Sequence, residues 1–172
     1  MEGALVWITG LAGSGKTTIA KKVVAGLKQE HAHTAHLDGD NMREILGGSY
    51  GHSPEDRLAT AKIYARLAAE LTKQGINVVV STISLIHEIH DLNRENNKQY
   101  FEILLQTSEE ELRRRRKLYK NGSEVMGIHQ EPQYPKQPSL VLENNKEEDL
   151  KTNIQKILKL IGGNDDRQPK CK

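Results

Sequence analysis

The sequence predicts an α/β fold, a parallel sheet covered by helices on both faces. Two observations carry that expectation. Short, β-rich apolar runs alternate along the chain with longer segments whose apolar residues recur at helical spacing. The first run, Ala4-Leu5-Val6-Trp7-Ile8-Thr9, leads into Gly10-Leu11-Ala12-Gly13-Ser14-Gly15-Lys16-Thr17, and an amphipathic stretch from Thr18 to Leu27 follows. That loop fits G-x-x-x-x-G-K-[ST] without substitution, and strand, glycine loop, helix is the order the pattern requires.

The remaining elements follow in order. Residues 33–38 read as a second strand ending in Asp38-Gly39-Asp40, with a short helix through Met42 to Leu46. Ser53-Pro54-Glu55-Asp56 is a strong helix start, with Ser as cap, Pro in the first turn and acids behind it. Leu58, Ala61, Ala65, Ala68 and Leu71 give this helix its buried face, and Gly75 ends it. Residues 76–82 are the clearest buried strand, and Leu85 to Asn96 reads as a helix. Tyr100 to Leu105 is a fourth strand, and a helix opened by Ser108 runs through Arg113-Arg114-Arg115-Arg116-Lys117. Residues 117–138 read as a lid, 139–143 as a fifth strand, and 146–161 as a C-terminal helix. One domain over 1–161 with a polar tail over 162–172 is expected.

Composition narrows the function classes. A formal charge of +2 gives no strong field for nucleic acid or membrane surfaces. No apolar run approaches the ~20 residues of a membrane span. No secretory leader is expected ahead of the first strand. A lone cysteine, Cys171, excludes a disulfide framework and points to a reducing, cytoplasmic setting.

The loop's chemistry is phosphate binding. Its glycines let backbone N–H groups curl around a phosphate, and the helix start adds positive potential. Lys16 would reach the β- and γ-phosphates of ATP, and the Thr17 hydroxyl would hold Mg²⁺. Asp38 and Asp40 follow the second strand, where a parallel sheet forms its ligand crevice. Carboxylates there can hold the metal or take a proton from an attacking hydroxyl. Arg43 and Arg57 can clamp an anionic group, and the arginine run can neutralise transition-state charge, although spacing does not select its member. His31, His33 and His36 suggest a metal cluster only at first sight. A strand puts His33 and His36 on opposite faces, so zinc is not expected.

The phosphate loop, Leu37-Asp38-Gly39-Asp40-Asn41-Met42-Arg43, Gly51-His52-Ser53-Pro54-Glu55-Asp56-Arg57 and Leu118-Tyr119-Lys120 come in the order seen in adenylyl-sulfate kinases, and the chain resembles that family over about residues 3–160. The resemblance implies a three-layer P-loop kinase fold with five parallel strands. It also implies transfer of the ATP γ-phosphoryl group to the ribose 3′-hydroxyl of a small-molecule nucleotide, and often a homodimer. By position, Gly13, Gly15, Lys16, Thr17 and Thr18 would bind ATP and Mg²⁺, and Asp38 and Asp40 match the acidic pair. Arg43 and Arg57 match the substrate arginines, and Ile83-Ser84 matches the Ile-Ser-Pro segment lining the substrate site. Arg113 falls at an arginine near the ATP base, Arg116 at the lid lysine, and Lys120 in the following Leu-Tyr-Lys. The family's serine is often labelled a phosphoserine intermediate. Nothing in this sequence activates Ser84, so direct in-line transfer is expected.

The departures fall on base recognition. The family's Gly-Phe-Ser is Gly51-His52-Ser53, and its Phe-Thr-Gly lid motif is Val125-Met126-Gly127. Those phenylalanines sandwich the substrate adenine in the family, and both faces are replaced here. Thr60 stands at the family's asparagine and Leu85 at its proline. In this the chain resembles the cytidine diphosphoramidate kinases, relatives that serve phosphoramidate modification of bacterial surface polysaccharide. The alternative is an adenylyl-sulfate kinase with a divergent pocket. A guanine-nucleotide switch lacks its Asn-Lys-x-Asp motif, and a non-catalytic module would be free to lose Lys16, Thr17, Asp38 or Asp40.

Overall fold

A computed structural model describes residues 2–30, 33–118 and 131–163, leaving out the side chains of residues 30, 116–118 and 163. Five parallel strands, β1 (Leu5–Thr9), β2 (Thr34–Asp38), β3 (Asn77–Ser81), β4 (Tyr100–Gln106) and β5 (Leu140–Glu143), form one sheet in the order β2-β3-β1-β4-β5. The expected fold class and strand count are both met. The helices are α1 (Lys16–Glu30), α2 (Gly39–Ile45), α3 (Pro54–Lys73), α4 (His87–Asn96), α5 (Glu109–Leu118) and α6 (Glu147–Gly163).

Burial on both faces explains the continuous apolar runs. Val6 and Ile8 of β1 face a core with Ile19 and Val23 of α1 and Ile157 of α6. Leu5 and Trp7 face the opposite core, with Tyr64, Ala65 and Ala68 of α3 and Ile89 of α4. The alanines let α3 lie close to the sheet. Its start is as expected: the Ser53 hydroxyl accepts from the Asp56 N–H at 3.1 Å, with Pro54 in the first turn. Gly75 leaves the helix at φ +82°, a conformation glycine adopts without a Cβ clash.

Strand ends shift by about one residue from expectation, and three helix boundaries shift further. Helix α2 begins at Gly39 because Asp38 caps it, its carboxylate accepting from the Asp40 N–H. Helix α4 begins at His87, not Leu85: residues 82–86 carry no helix or strand, Ile86 is extended, and the Leu85 carbonyl accepts from the Gln133 N–H at 3.0 Å. Helix α6 continues to Gly163. Of the expected lid, residues 119–130 lie outside the described part, as do residues 164–172 of the expected tail, and 131–138 carry no helix or strand.

A carboxylate sits inside the core. Glu102 of β4 is 1% exposed. Its carboxylate accepts from Arg94 at 3.0 Å and from the Tyr100 hydroxyl at 2.8 Å. Burial first, then the Glu102 charge, pushes the Tyr100 phenol above its ordinary range. Buried charge persists only where such donors surround it.

Truncating the core should be costly. Ile103→Ala, at a fully buried position beside β1, is expected to lower unfolding free energy by about 2–5 kcal/mol in chemical denaturation.

Candidate active site

The C-terminal ends of β1, β2 and β3 open into a cleft of about 1030 Å³. Residues from the phosphate loop, the Asp38–Arg43 turn, α3, the 81–84 segment, α5 and the 144–150 segment line it. Ala12, Gly13, Gly15, Lys16, Thr17 and Thr18 form one wall. Gly10, Leu11 and Ser14, expected with them, belong to the same loop but do not line the cleft. A Cβ on Gly10 would sit 2.5 Å from the Leu105 carbonyl oxygen, and Ser14 is fully buried. The Lys16 ammonium donates to the Leu11 carbonyl at 2.8 Å.

Asp38 is held by several donors. One carboxylate oxygen accepts from the Thr17 hydroxyl and from the Ser81 hydroxyl, each at 2.7 Å. The other accepts from the Asp40 N–H at 3.2 Å. Burial alone would raise this carboxyl, but the donors from Ser81, Thr17, Asp40 and Asn41 outweigh it and hold it below the usual carboxylate range. Behind it, His36 Nε2 lies 2.9 Å from the Ser81 hydroxyl, which engages His36 in this network. Of the other histidines in that trio, His31 lies outside the described residues.

Asp40, Arg43, His52, Arg57, Thr60, Ile83 and Ser84 line the facing part of the cleft. Arg43 donates to the Gly51 carbonyl at 2.8 Å, and Arg57 donates to the His52 carbonyl at 2.9 Å. Both arginines thus brace the loop that carries His52. The Ser84 hydroxyl is 3.1 Å from the Thr82 hydroxyl. His90 reaches the Ser84 carbonyl at 3.0 Å, so it positions the segment and does not activate the serine.

Arg113 stands apart from the cleft. It is exposed, paired to Glu109 at 3.0 Å on the outer side of α5, and does not line the cleft. The cause is helix phase. Leu112 is buried against the phosphate loop, which turns Arg113 outward and brings Arg115, three residues on, back to the loop. Arg114 and Arg115 line the cleft instead, both held by Glu111. Those bonds, Arg114's first, bring the partly buried Glu111 carboxyl down to about 2. Lys120 and Met126 lie outside the described residues, as does the Arg116 side chain.

Sequence reasoning missed Tyr64, Asn144 and Asn145 in the lining. Tyr64 was within reach: it follows Arg57 and Thr60 on one helical face, and its hydroxyl donates to the Gly39 carbonyl at 3.3 Å. Asn144 and Asn145 follow the end of β5, the place a parallel sheet reserves for ligands.

Two outcomes test this geometry. Gly15→Ala should abolish nucleotide binding in calorimetry, because Gly15 has φ +92° and its Cβ would lie 2.5 Å from the Asn144 amide nitrogen. Acid stability should follow the histidines. Burial lowers His36 and His90 below the ordinary 6.5, despite Asp38 beside the first and Glu102 beside the second. The unfolded chain therefore binds their protons at higher pH than the folded one, and stability is lost as pH falls below about 6.5. In thermal melts between pH 7 and 5, His90→Gln should show a shallower decline than wild type.

Comparison with known proteins agrees with this architecture. The adenylylsulphate kinase family model matches residues 2–143. A cytidine diphosphoramidate kinase from Campylobacter jejuni is 37% identical over 164 residues, covering 91% of this chain and 95% of that protein. An adenylyl-sulfate kinase from Pseudomonas aeruginosa is 32% identical over 154 residues, covering 84% of this chain and 79% of that protein. The solved structure of a Mycobacterium tuberculosis APS kinase, in complex with AMPPNP and APS, matches with a TM-score of 0.81 at 31% identity, covering 94% of this chain and 98% of that one. With a complete phosphate loop, an acidic pair at its mouth and this similarity along most of its length, the chain belongs to the adenylylsulphate kinase family and is a phosphotransferase that acts on a hydroxyl acceptor.

Proposed function

We propose that the chain transfers the γ-phosphoryl group of ATP to the ribose 3′-hydroxyl of a small nucleotide, with cytidine diphosphoramidate as the favoured acceptor. That reaction would serve phosphoramidate modification of a bacterial surface polysaccharide. The observation that carries the acceptor choice is the make-up of the acceptor wall. His52, Thr60 and Tyr64 line it, so the phenylalanine and asparagine of adenylyl-sulfate kinases are absent at the first two positions. An adenine loses a stacking face there, and a smaller pyrimidine has less to lose. The similarity to the Campylobacter jejuni kinase over 91% of the chain supports the same reading. Adenylyl sulfate is the second reading, favoured by the retained Arg43, Arg57 and Ile83-Ser84 and by the similarity to the Pseudomonas aeruginosa kinase.

Roles follow from the donor sets. Thr17 and Asp38 offer hard oxygens 2.7 Å apart beside the phosphate loop, a set that fits Mg²⁺ shared with nucleotide phosphates. When bound there, Mg²⁺ neutralises charge on the β- and γ-phosphates. Asp38, held ionised by its donors, suits metal holding better than proton uptake. Asp40 lines the cleft one residue beyond Gly39 and takes the proton from the attacking hydroxyl. Lys16 swings from the Leu11 carbonyl to the bridging phosphates, and Arg43 and Arg57 bind the acceptor's anionic groups. Transfer is direct and in line, with Ser84 lining the site without becoming phosphorylated.

Initial rates with Mg²⁺-ATP and either cytidine diphosphoramidate or adenylyl sulfate decide the acceptor. A higher kcat/KM for the cytidine compound is expected, and the reverse order would select sulfate activation. Lys16→Ala should cost on the order of 10²–10³ in kcat/KM. Asp40→Asn should lower kcat about 10²–10⁴-fold while leaving Mg²⁺-ATP affinity intact. Asp38→Asn should raise the Mg²⁺ concentration needed for half-maximal rate. An unchanged rate in both aspartate variants would remove the acidic pair from the mechanism.

A further inference from the structure

A phosphate loop binds anions through its N–H groups, so its carbonyls must be kept from turning inward. Each peptide unit points its carbonyl opposite to its N–H, and an inward carbonyl repels a phosphate. What holds these carbonyls is therefore part of the site. Here Gly13 and Ser14 are held from behind by side chains from the far end of the sequence. The Asn144 amide donates to the Ser14 carbonyl at 2.7 Å. Arg115 donates through Nη1 to the Gly13 carbonyl at 3.1 Å.

The two side chains are also tied to each other. Arg115 Nη2 donates to the Asn144 carbonyl at 2.9 Å and more weakly to that of Asn145 at 3.4 Å. Glu111 accepts from Arg115 Nε at 2.7 Å and sets the fork's direction. The Thr107 hydroxyl donates to the same Asn144 carbonyl at 3.1 Å, which fixes the turn after β5 to the end of β4. Asn144 is 5% exposed and lies so close to Gly15 that no side chain fits between them. This is a rigid backing for the loop, built on a buried amide and a guanidinium fork.

We infer that Arg115 and Asn144 are positioning residues for the donor nucleotide: with the Ser14 N–H held by the Leu11 carbonyl at 3.1 Å, they fix the Gly13 and Ser14 carbonyls and so the loop's conformation, which preorganises the Gly15 N–H and those after it for the phosphates. The inference rests on the kinase reading for its substrate, yet it concerns only the nucleotide half of the cleft. It separates Arg115 from its neighbours in the arginine run, since Arg113 pairs with Glu109 and Arg114 with Glu111 alone among the contacts described. It also gives Arg115 a role that lysine cannot fill, because a single ammonium cannot span carbonyls on two segments.

The test is binding of Mg²⁺-ADP and Mg²⁺-ATP by titration calorimetry, at a temperature where circular dichroism shows each protein folded. Arg115→Gln, Arg115→Lys, Asn144→Ala and the Arg115→Gln/Asn144→Ala double variant are compared with wild type. Each single variant should weaken both nucleotides by a common factor of about ten, the scale of one lost hydrogen bond to a charged or buried partner. Arg115→Lys should not rescue, and the double variant should fall short of the product of the singles, since the two residues share one structure. The acceptor's KM should change less than twofold. The salt dependence of ADP binding should be the same in Arg115→Gln as in wild type, because the guanidinium acts through carbonyls. A shallower salt dependence would mean that Arg115 pairs with the phosphates directly, and would overturn the inference. So would unchanged ADP affinity in Asn144→Ala, or unchanged ADP affinity in Arg115→Gln with kcat reduced a hundredfold. Failure of the kinase reading has a separate signature: no nucleotide acceptor is phosphorylated by wild type, while the ADP titrations still report on the loop.

Discussion

The parallel pairing of β1 on both its edges is the constraint on which the rest of the molecule depends. Leu5, Val6, Trp7 and Ile8 are fully buried, with one core above and another below. The register aligns Ile8 with Ser81 of β3, and Ser81 with Asp38 of β2. Three strand ends therefore finish level, and the loop leaving β1 arrives beside Asp38. Thr17, in the first turn of α1, meets that carboxylate for this reason, although the two are separated by 21 residues. A one-residue slip in either pairing would turn Asp38 or Ser81 to the other face and dismantle the site.

Several of the buried polar groups among the described residues line the cleft. Lys16, Asp38 and Arg57 are each less than a tenth exposed, and each engages a backbone carbonyl, an N–H or a hydroxyl. Away from solvent such partners act in a low dielectric, where an oriented charge is worth more to a reacting phosphate than it would be in water. Glu102 follows the same rule without facing the cleft. It anchors α4 to β4 through Arg94, while His90 on the same helix reaches the Ser84 carbonyl. The 81–84 segment of the cleft thus hangs from a helix that is itself pinned to the core.

The proposed acceptor and donor walls of the cleft differ in how they are built. The donor wall is backbone: a loop of glycines whose carbonyls are held from behind. The acceptor wall is side chains on α2, α3 and the loop between them, braced by Arg43 and Arg57 through the carbonyls of Gly51 and His52. Backbone recognition of phosphate tolerates little change, whereas a wall of side chains can be rewritten residue by residue. That is a physical reason for one family to keep its chemistry while its acceptors differ.

What the sequence determined alone is what local rules govern. The phosphate loop, the Ser53 cap, the alternation of strand and helix, and the acids after β2 are each readable within a few residues, because glycine conformation, capping and periodicity are short-range effects. The tertiary structure decided whatever depends on contacts between distant segments. Asn144 reaches Ser14 across 130 positions, which no spacing rule records. Which arginine of the run faces the loop was set by Leu112 packing beneath Gly13, a matter of helix phase. Helix α4 starts late because Gln133 holds the Leu85 carbonyl from 48 residues away along the chain, outbidding the local helical pattern.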